Sequence, residues 1–406
     1  MNVAILGTGG REHALAVKSL KSSHVKEVHV IPGNSGMLMS EGLTIQMDWD
    51  GTFPSLERYL GENGISLLIV GNEAYLEKGV SDYFRDTSVR VFGPSRAAAR
   101  LETSKDYAKQ FMARHAIPTA GFTTCETYET AVKHMAGIQG TLVIKQDGLA
   151  LGKGVLVTDN REEADAFLKE SFKGTGKVVF EQFLSGREFS LLAFVNQEYY
   201  NLMAVARDYK RAHEGDQGLN TGGMGAYTPV EYVSEEDMRY VEDTIVLPTV
   251  TGLLKDGIDF SGIIYFGLIR TDDGVKVIEY NTRFGDPEAE VLLEAMNSDL
   301  IEAISATFEK RPFTLTWKEG ITLGVCLAST GYPSSYQKGH RIEIPREVAC
   351  YSMALRKEGD HYLNDGGRVA FVFASAQTME QARKACYEDV KKIRSDVLYW
   401  RSDIGK

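Results

Sequence analysis

"IEYNTRFGDPE", residues 278–288, opens as a strand and closes on a Gly-Asp-Pro turn. It crowds Glu279, Asn281, Arg283, Asp286 and Glu288 into a few positions. A pleated strand sends alternate side chains to one face, so Glu279, Asn281 and Arg283 share one. The arrangement raises the question why two oxygen ligands and a guanidinium stand side by side before such a turn. An ordinary polar edge strand has the same composition, so the surrounding chain has to decide.

The alternation begins at the N-terminus. "NVAILG" (2–7) is an apolar run ending in glycine, the pattern of a buried parallel strand. "REHALAVKSLKSS" has helical spacing, and "VKEVHVIPGN" (25–34) is a second strand. "LERYLGENGISLLIVGNE", "YLEKGVSDYFRD" and "VRVFG" continue helix, strand, helix, strand, which predicts a doubly wound parallel sheet. Such sheets bind ligands at the carboxyl ends of their strands, where "GTGG", "PGN" and "GNE" fall. "GPSRAAARLETSKDYAKQFMARHAIP" predicts one long helix ending before Pro118. Residues 119–192 form a compact βα unit and candidate lid. Glycine-rich "RDYKRAHEGDQGLNTGGMGAY" (207–227) precedes a helix over about 234–255 and the strands "GIIYFGLIR" and "VKVIEYN". The tail is a small α+β module with an amphipathic helix near 379–394. The expected domains are 1–102, 103–320 and 321–406.

At 406 residues the chain exceeds one core and predicts two to four domains. Its net charge of -11 argues against a nucleic-acid binder, so cations for anionic metabolites must be placed locally. Cys125, Cys326, Cys350 and Cys386 lie far apart without a CxxC pair. That argues against structural zinc and a disulfide framework and fits a reducing compartment. No leader pattern or membrane-length apolar run is seen, and the expected location is cytoplasmic.

The glycine loops each admit two readings. "GTGGRE" has Glu12 where a dinucleotide motif needs its third glycine, and the second strand ends on Pro32, Gly33 and Asn34 rather than an acid. A turn at a helix N-terminus suits a phosphate monoester, helped by Arg11 and His13; otherwise it is a tight turn only. In "KQDGLALGKGV", Lys145, Lys153 and the glycines around Gly152 suit a polyphosphate, or form a hairpin with incidental lysines. Glu181, the Gln182–Leu184 backbone and Glu188 suit an adenine edge and ribose hydroxyls, although such turns are common. "NTGGMGAY" carries more glycine than packing needs, so the amides of Thr221, Gly222 and Gly223 suit an anionic site.

Taken in order, "GTGGREHA", "PGN", "LETSKDYAK", "KQDGLALGKGV", "EQFLSGREFSL", "DYKRAHEGDQGLNTGGMGAY" and "IEYNTRFGDPE" resemble the ATP-grasp ligases. Within them the chain is similar to the phosphoribosylamine–glycine ligase family over essentially its whole length. The resemblance implies an α/β fold: an N-terminal doubly wound parallel sheet domain, a central ATP-grasp domain with a mobile lid, and a small C-terminal α+β domain. It implies ATP with Mg²⁺ or Mn²⁺, and ligation of glycine to 5-phosphoribosylamine through a glycyl phosphate in purine synthesis. The expected state is a monomer, with a homodimer as alternative, and neither nucleic acid nor membrane is an expected partner.

By the same resemblance Glu279 and Asn281 hold the metal, and Arg283 holds the glycine carboxylate. Lys105, Lys145, Gly152 and Lys153 meet the ATP phosphates, while Glu181, Phe183, Leu184 and Glu188 meet adenine and ribose. Gly9, Gly10, Arg11, Asn34, Glu73, Asp208 and Asp286 meet the amine substrate. Lys210, Asn220, Gly222 and Gly223 close the reaction centre with Arg283. The chain departs from the family pattern at Asn72, Tyr75, Gln146, Arg207, Tyr209 and Glu290, mostly toward the amine side. A relative acting on another amine or amino acid is the alternative. Retention of Glu279, Asn281, Arg283, Lys145 and Lys153 counts against an idle ATP-binding protein.

Overall fold

Strands β1 (Asn2–Gly7), β2 (Glu27–Pro32), β3 (Leu43–Ile45), β4 (Ile65–Val70) and β5 (Arg90–Phe92) lie parallel in the order β3-β2-β1-β4-β5. The computed structural model describes residues 1–149, 154–174 and 176–406. Helices cover both faces of this sheet, so its central strands are apolar throughout: Val3, Ala4, Ile5 and Leu6 are fully buried. The turns after β1, β2 and β4 open on one crevice, as expected. Edge strand β3 was not anticipated, because three residues carry no measurable period.

The expected long helix is two, Arg96–Thr103 and Lys105–Arg114. Ser104 between them is extended, and its hydroxyl accepts from Tyr107 N at 3.1 Å, capping the second helix. The break brings Lys105 round, so that its Nζ donates to Gly148 O at 2.8 Å. A four-stranded antiparallel sheet follows, in the order Phe122–Cys125, Val178–Glu181, Leu142–Gln146, Val155–Thr158. It ends at Glu181, short of the 192 expected for the lid. Arg187–Asn196 instead pairs along its length with Ser261–Thr271, in a second sheet completed by Tyr199–Leu202 and Gly274–Asn281. The tail sheet also reaches back: Arg207–Asp208 and Gly225–Thr228 join Ile321–Ser329 and Arg368–Ala376.

These layers share one core. Val291, Leu292, Leu293 and Met296, in and just after the helix Glu288–Ala295, pack in one cluster with Val3 and Ile5 of the first sheet. Phe194 of the second sheet and Phe371 of the tail join the same cluster. The Gly-Asp-Pro turn therefore opens the helix on which the three regions converge.

His13 ties the same regions by hydrogen bonds. It is fully buried, its Nδ1 accepts from Ser352 N at 2.8 Å, and its Nε2 lies 2.9 Å from Ser40 Oγ. Because Nδ1 accepts, Nε2 carries the proton and donates to Ser40. Burial pushes the imidazole pKa down to about 3, so it is neutral. This corrects the expectation that His13 assists a phosphate. His13→Ala should cost about 1–3 kcal/mol by orphaning the Ser352 amide, read as a lower urea midpoint with an unchanged KM for ATP.

Candidate active site

A cavity of about 600 Å³ runs between the four-stranded sheet and the Gly274–Asn281 strand. Its lining includes Lys105, Lys145, Glu181, Phe183, Leu184 and Glu188 at one end. Asp208, Lys210, Asn220, Gly222, Glu279, Asn281, Arg283, Asp286 and Glu73 line the remainder. Fifteen expected residues, drawn from segments far apart in sequence, thus share one space. Gly152 and Lys153 lie outside the described residues.

At the first end, Glu181 sits between two lysines. Lys145 Nζ lies 2.9 Å from one carboxylate oxygen and Lys109 Nζ 2.8 Å from the other. Both oxygens of Glu181, which lines the cavity, thus face ammonium groups. Lys109 was missed, although it stands four residues after Lys105 on the same helix face, a spacing that could have flagged it. Burial lowers its pKa to about 8 against the opposing pull of Glu181. Phe183, 49% exposed, leaves an apolar ring at the cavity rim.

The Gly274–Asn281 strand aims the central groups through a bulge. Glu279 pairs with Gly267 and Val277 with Leu268, leaving Ile278 as the extra residue. Ile278 O accepts from Lys145 Nζ at 3.2 Å. Gly267 leaves room for Glu279, since a Cβ there would meet Glu279 Cγ at 3.1 Å. Lys210 Nζ lies 3.3 Å from Glu188 and 4.0 Å from Glu279. Burial, reinforced by Glu288, Glu188 and Glu279, lifts the Asp208 carboxyl to about 7 despite Lys210. The centre of the cavity holds more negative charge than its lysine balances.

Arg283 follows the strand end and is held from several sides. Its Nη2 lies 2.8 Å from Glu102, its Nε 3.3 Å from Glu73, and its Nη1 donates to Phe284 O at 3.1 Å. Arg11 points inward to the same group, with Nε 2.5 Å from Glu12 and Nη2 3.9 Å from Glu73. Only 5% exposed, Arg11 faces Glu12, Glu73 and Phe284 O and serves as a counter-ion, which corrects its expected substrate role.

The glycine loops close on the protein itself. Glu12 caps the helix Gly10–Leu20 by accepting from Gly9 N at 2.6 Å. Its carboxylate packs so close to the end of β4 that a Cβ on Gly71 would lie 2.1 Å away. Asn34 accepts from Ser352 Oγ at 2.6 Å and donates to Thr8 O at 2.7 Å. Thr221 N donates to Lys210 O, Gly222 N to the Tyr332 hydroxyl at 3.0 Å, and Gly223 N to Thr221 Oγ1 at 2.9 Å. The expected open cradle of amides is therefore corrected: these glycines allow close packing. A Cβ on Gly223, at φ +113°, would sit 2.3 Å from Pro287, and one on Gly222 2.8 Å from the Arg368 guanidinium. Arg368, also missed, bridges the loops with Nη1 2.8 Å from Gly222 O and 2.7 Å from Asp286 Oδ1.

The profile of the phosphoribosylglycinamide synthetase N domain matches residues 1–102, that of its ATP-grasp (A) domain 103–289, and that of its C domain 322–406. The phosphoribosylamine–glycine ligase of Listeria monocytogenes serotype 4b (strain F2365) is 43% identical over 417 residues, covering 100% of this chain and 99% of that one. The chain belongs to the phosphoribosylglycinamide synthetase family. The Lactococcus lactis subsp. lactis (strain IL1403) phosphoribosylamine–glycine ligase is 42% identical over 100% of this chain and 99% of its own. The crystal structure of the Thermotoga maritima phosphoribosylamine–glycine ligase superposes with a TM-score of 0.86 at 33% identity over 100% of both chains. The biotin carboxylase of Campylobacter jejuni shares the fold at 13% identity and a TM-score of 0.75, over 98% of this chain and 92% of that one. As a synthetase of this family, the chain is an ATP-dependent ligase of the ATP-grasp type. Among the described residues no helix is long and apolar enough to cross a membrane.

Burial alone would raise Glu73, but Arg283 and Arg11 outweigh it and bring its pKa down to about 2. A depressed carboxyl contributes stability above its unfolded pKa near 4.5 and loses it as pH falls through the folded value. Glu73→Gln should therefore lower the urea midpoint clearly at pH 7 and by a smaller margin at pH 3. An equal margin at both would remove the ion pair from the account.

Proposed function

We propose that this synthetase ligates glycine to 5-phosphoribosylamine, forming glycinamide ribonucleotide, ADP and phosphate in de novo purine synthesis. The observation that carries the reading is the position of Arg283. It lies beside Glu279 and Asn281, in a cavity whose other end is built from Lys105, Lys109 and Lys145. A carboxylate is a poor acyl donor because oxide would have to leave. Transfer of the γ-phosphoryl group of ATP makes glycyl phosphate, from which phosphate leaves when the amine attacks. Such chemistry asks the protein for charge neutralisation and alignment, with no covalent nucleophile.

In this reading Lys105 and Lys145 offset the phosphate charge, and Arg283 orients the glycine carboxylate with hydrogen bonds. Lys210 steadies charge at the centre. The amine substrate lies toward Asp208, Asp286 and the crevice of the first sheet. Residues 1–102 serve the amine, 103–320 the nucleotide and 321–406 the closing wall.

Glu279 and Asn281 offer two oxygens to a divalent cation. Among the described residues no three His, Cys, Asp or Glu side chains gather as a metal-holding set. Two donors within an acid-rich centre fit Mg²⁺ or Mn²⁺, which take few protein ligands and complete their shell with phosphate and water oxygens. Such an ion supplies charge neutralisation on the phosphates.

ADP release should require glycine and phosphoribosylamine together. Activity with a different pair alone would instead favour a relative of altered specificity. Glu279→Ala should lose on the order of 100-fold in kcat while its thermal midpoint stays within a few degrees of the parent. Retained turnover in that variant would remove Glu279 from the centre.

A further inference from the structure

Glu102 ends the helix Arg96–Thr103 and grips two consecutive residues of the strand end opposite. Its Oε2 accepts from Thr282 N at 2.8 Å and from Thr282 Oγ1 at 3.2 Å, while its Oε1 lies 2.8 Å from Arg283 Nη2. The Glu102 side chain is 5% exposed and that of Arg283 15%. One carboxylate therefore fixes the backbone before the arginine with one oxygen and the guanidinium with the other.

The donors of Arg283 show what that grip leaves over. A guanidinium carries five N–H groups. One on Nε is directed to Glu73 and one on Nη1 to Phe284 O, while Nη2 is paired by charge with Glu102 at 2.8 Å. The only hydrogen bond from Nη2 goes to Asn281 Oδ1 at 3.5 Å, a weak partner, and the second Nη1 hydrogen has none among the described residues. Two loosely committed donors, one on each terminal nitrogen, are what a two-point hold on a carboxylate requires.

We infer that Glu102 is a positioning residue: it locks the guanidinium plane of Arg283 so that these two donors face the amino acid's carboxylate. An unheld arginine side chain would lose about 2 kcal/mol of rotamer entropy on ordering, and Glu102 removes that cost before the substrate arrives. Burial raises the Glu102 carboxyl pKa, and Arg283 opposes the rise. Glu102→Gln keeps an oxygen for Thr282 but turns an amide donor toward Nη2, so it breaks the hold on Arg283 selectively. This inference rests on the reading of Arg283 as the carboxylate-binding group.

The test is steady-state ADP formation by Glu102→Gln, Glu102→Asp and Arg283→Lys, with KM measured for glycine, ATP and the amine. Glu102→Gln should raise the glycine KM about 10- to 100-fold while the ATP KM moves less than about twofold, as a misplaced binding group predicts. Glu102→Asp keeps the charge and should give a smaller, equally selective rise, which also serves if the Gln variant fails to fold. Equal rises for all three substrates, or no rise, would mean that Glu102 only supports the fold and would overturn the inference. If Arg283→Lys raises the glycine KM and the Glu102 variants do not, the inference falls and the reading of Arg283 stands. If Arg283→Lys also leaves it unchanged, both fall.

Discussion

Two arginines, Arg11 and Arg283, are buried together with Glu12, Glu73 and Glu102, and this charge balance sets the relation between the first sheet and the end of the Gly274–Asn281 strand. An arginine cannot escape burial by losing its proton, so each guanidinium needs carboxylates brought to it. Glu73 comes from the turn after β4, Glu102 from the connecting helix, and Arg11 from the first helix. Removing one member would strand a buried charge, at about 3–5 kcal/mol for such pairs. The cluster thus fixes the crevice of the first sheet against Arg283, and the same contacts orient the residue that the proposed reaction needs.

The cavity is divided electrostatically along its length. Lys105, Lys109 and Lys145 gather at one end, whereas Glu188, Asp208, Glu279 and Glu288 surround Lys210 at the centre. Burial lifts Asp208 to about 7, and the neighbouring carboxylates add to the rise. A polyphosphate matches the first end by charge, and a divalent cation relieves the second. A nucleotide carrying its metal would satisfy both at once, which neither a free cation nor a bare phosphate would do.

The parallel sheet was legible because burial on both faces leaves apolar runs that end in glycine. The family motifs likewise located the cavity, since its lining residues stand in distinctive local patterns. What the sequence hid was partnership across distance. Glycines showed a permissive backbone in "NTGGMGAY" but not what would pack against it. The answer, Tyr332 and Arg368, lies 110 and 146 residues away from Gly222. Glu12 was similarly visible as a missing third glycine, yet its close packing on Gly71 depends on β4 lying alongside. The break at Ser104 had a local signal, a serine able to cap, but strong helical residues on both sides concealed it.

The departures from the family pattern become intelligible in the same terms. Asn72 Oδ1 accepts from Ala74 N at 2.9 Å and so caps the helix that opens with Glu73, while Tyr75 packs on Trp49 with ring centres 5.4 Å apart. Arg207 lies 4.7 Å over the ring of Tyr209, whose hydroxyl accepts from Gly405 N, so these two changes stabilise each other and the tail. Glu290 is fully buried, with both oxygens lacking a hydrogen-bond partner among the described residues, and a Cβ on Gly10 would lie 2.5 Å from it. Burial, with Asp286 beside it, raises that carboxyl well above the usual range. Asn72, Tyr75, Arg207 and Tyr209 are thus each taken up by a neighbour in the fold, and Arg207 also lines the cavity, where it adds a positive charge to the wall.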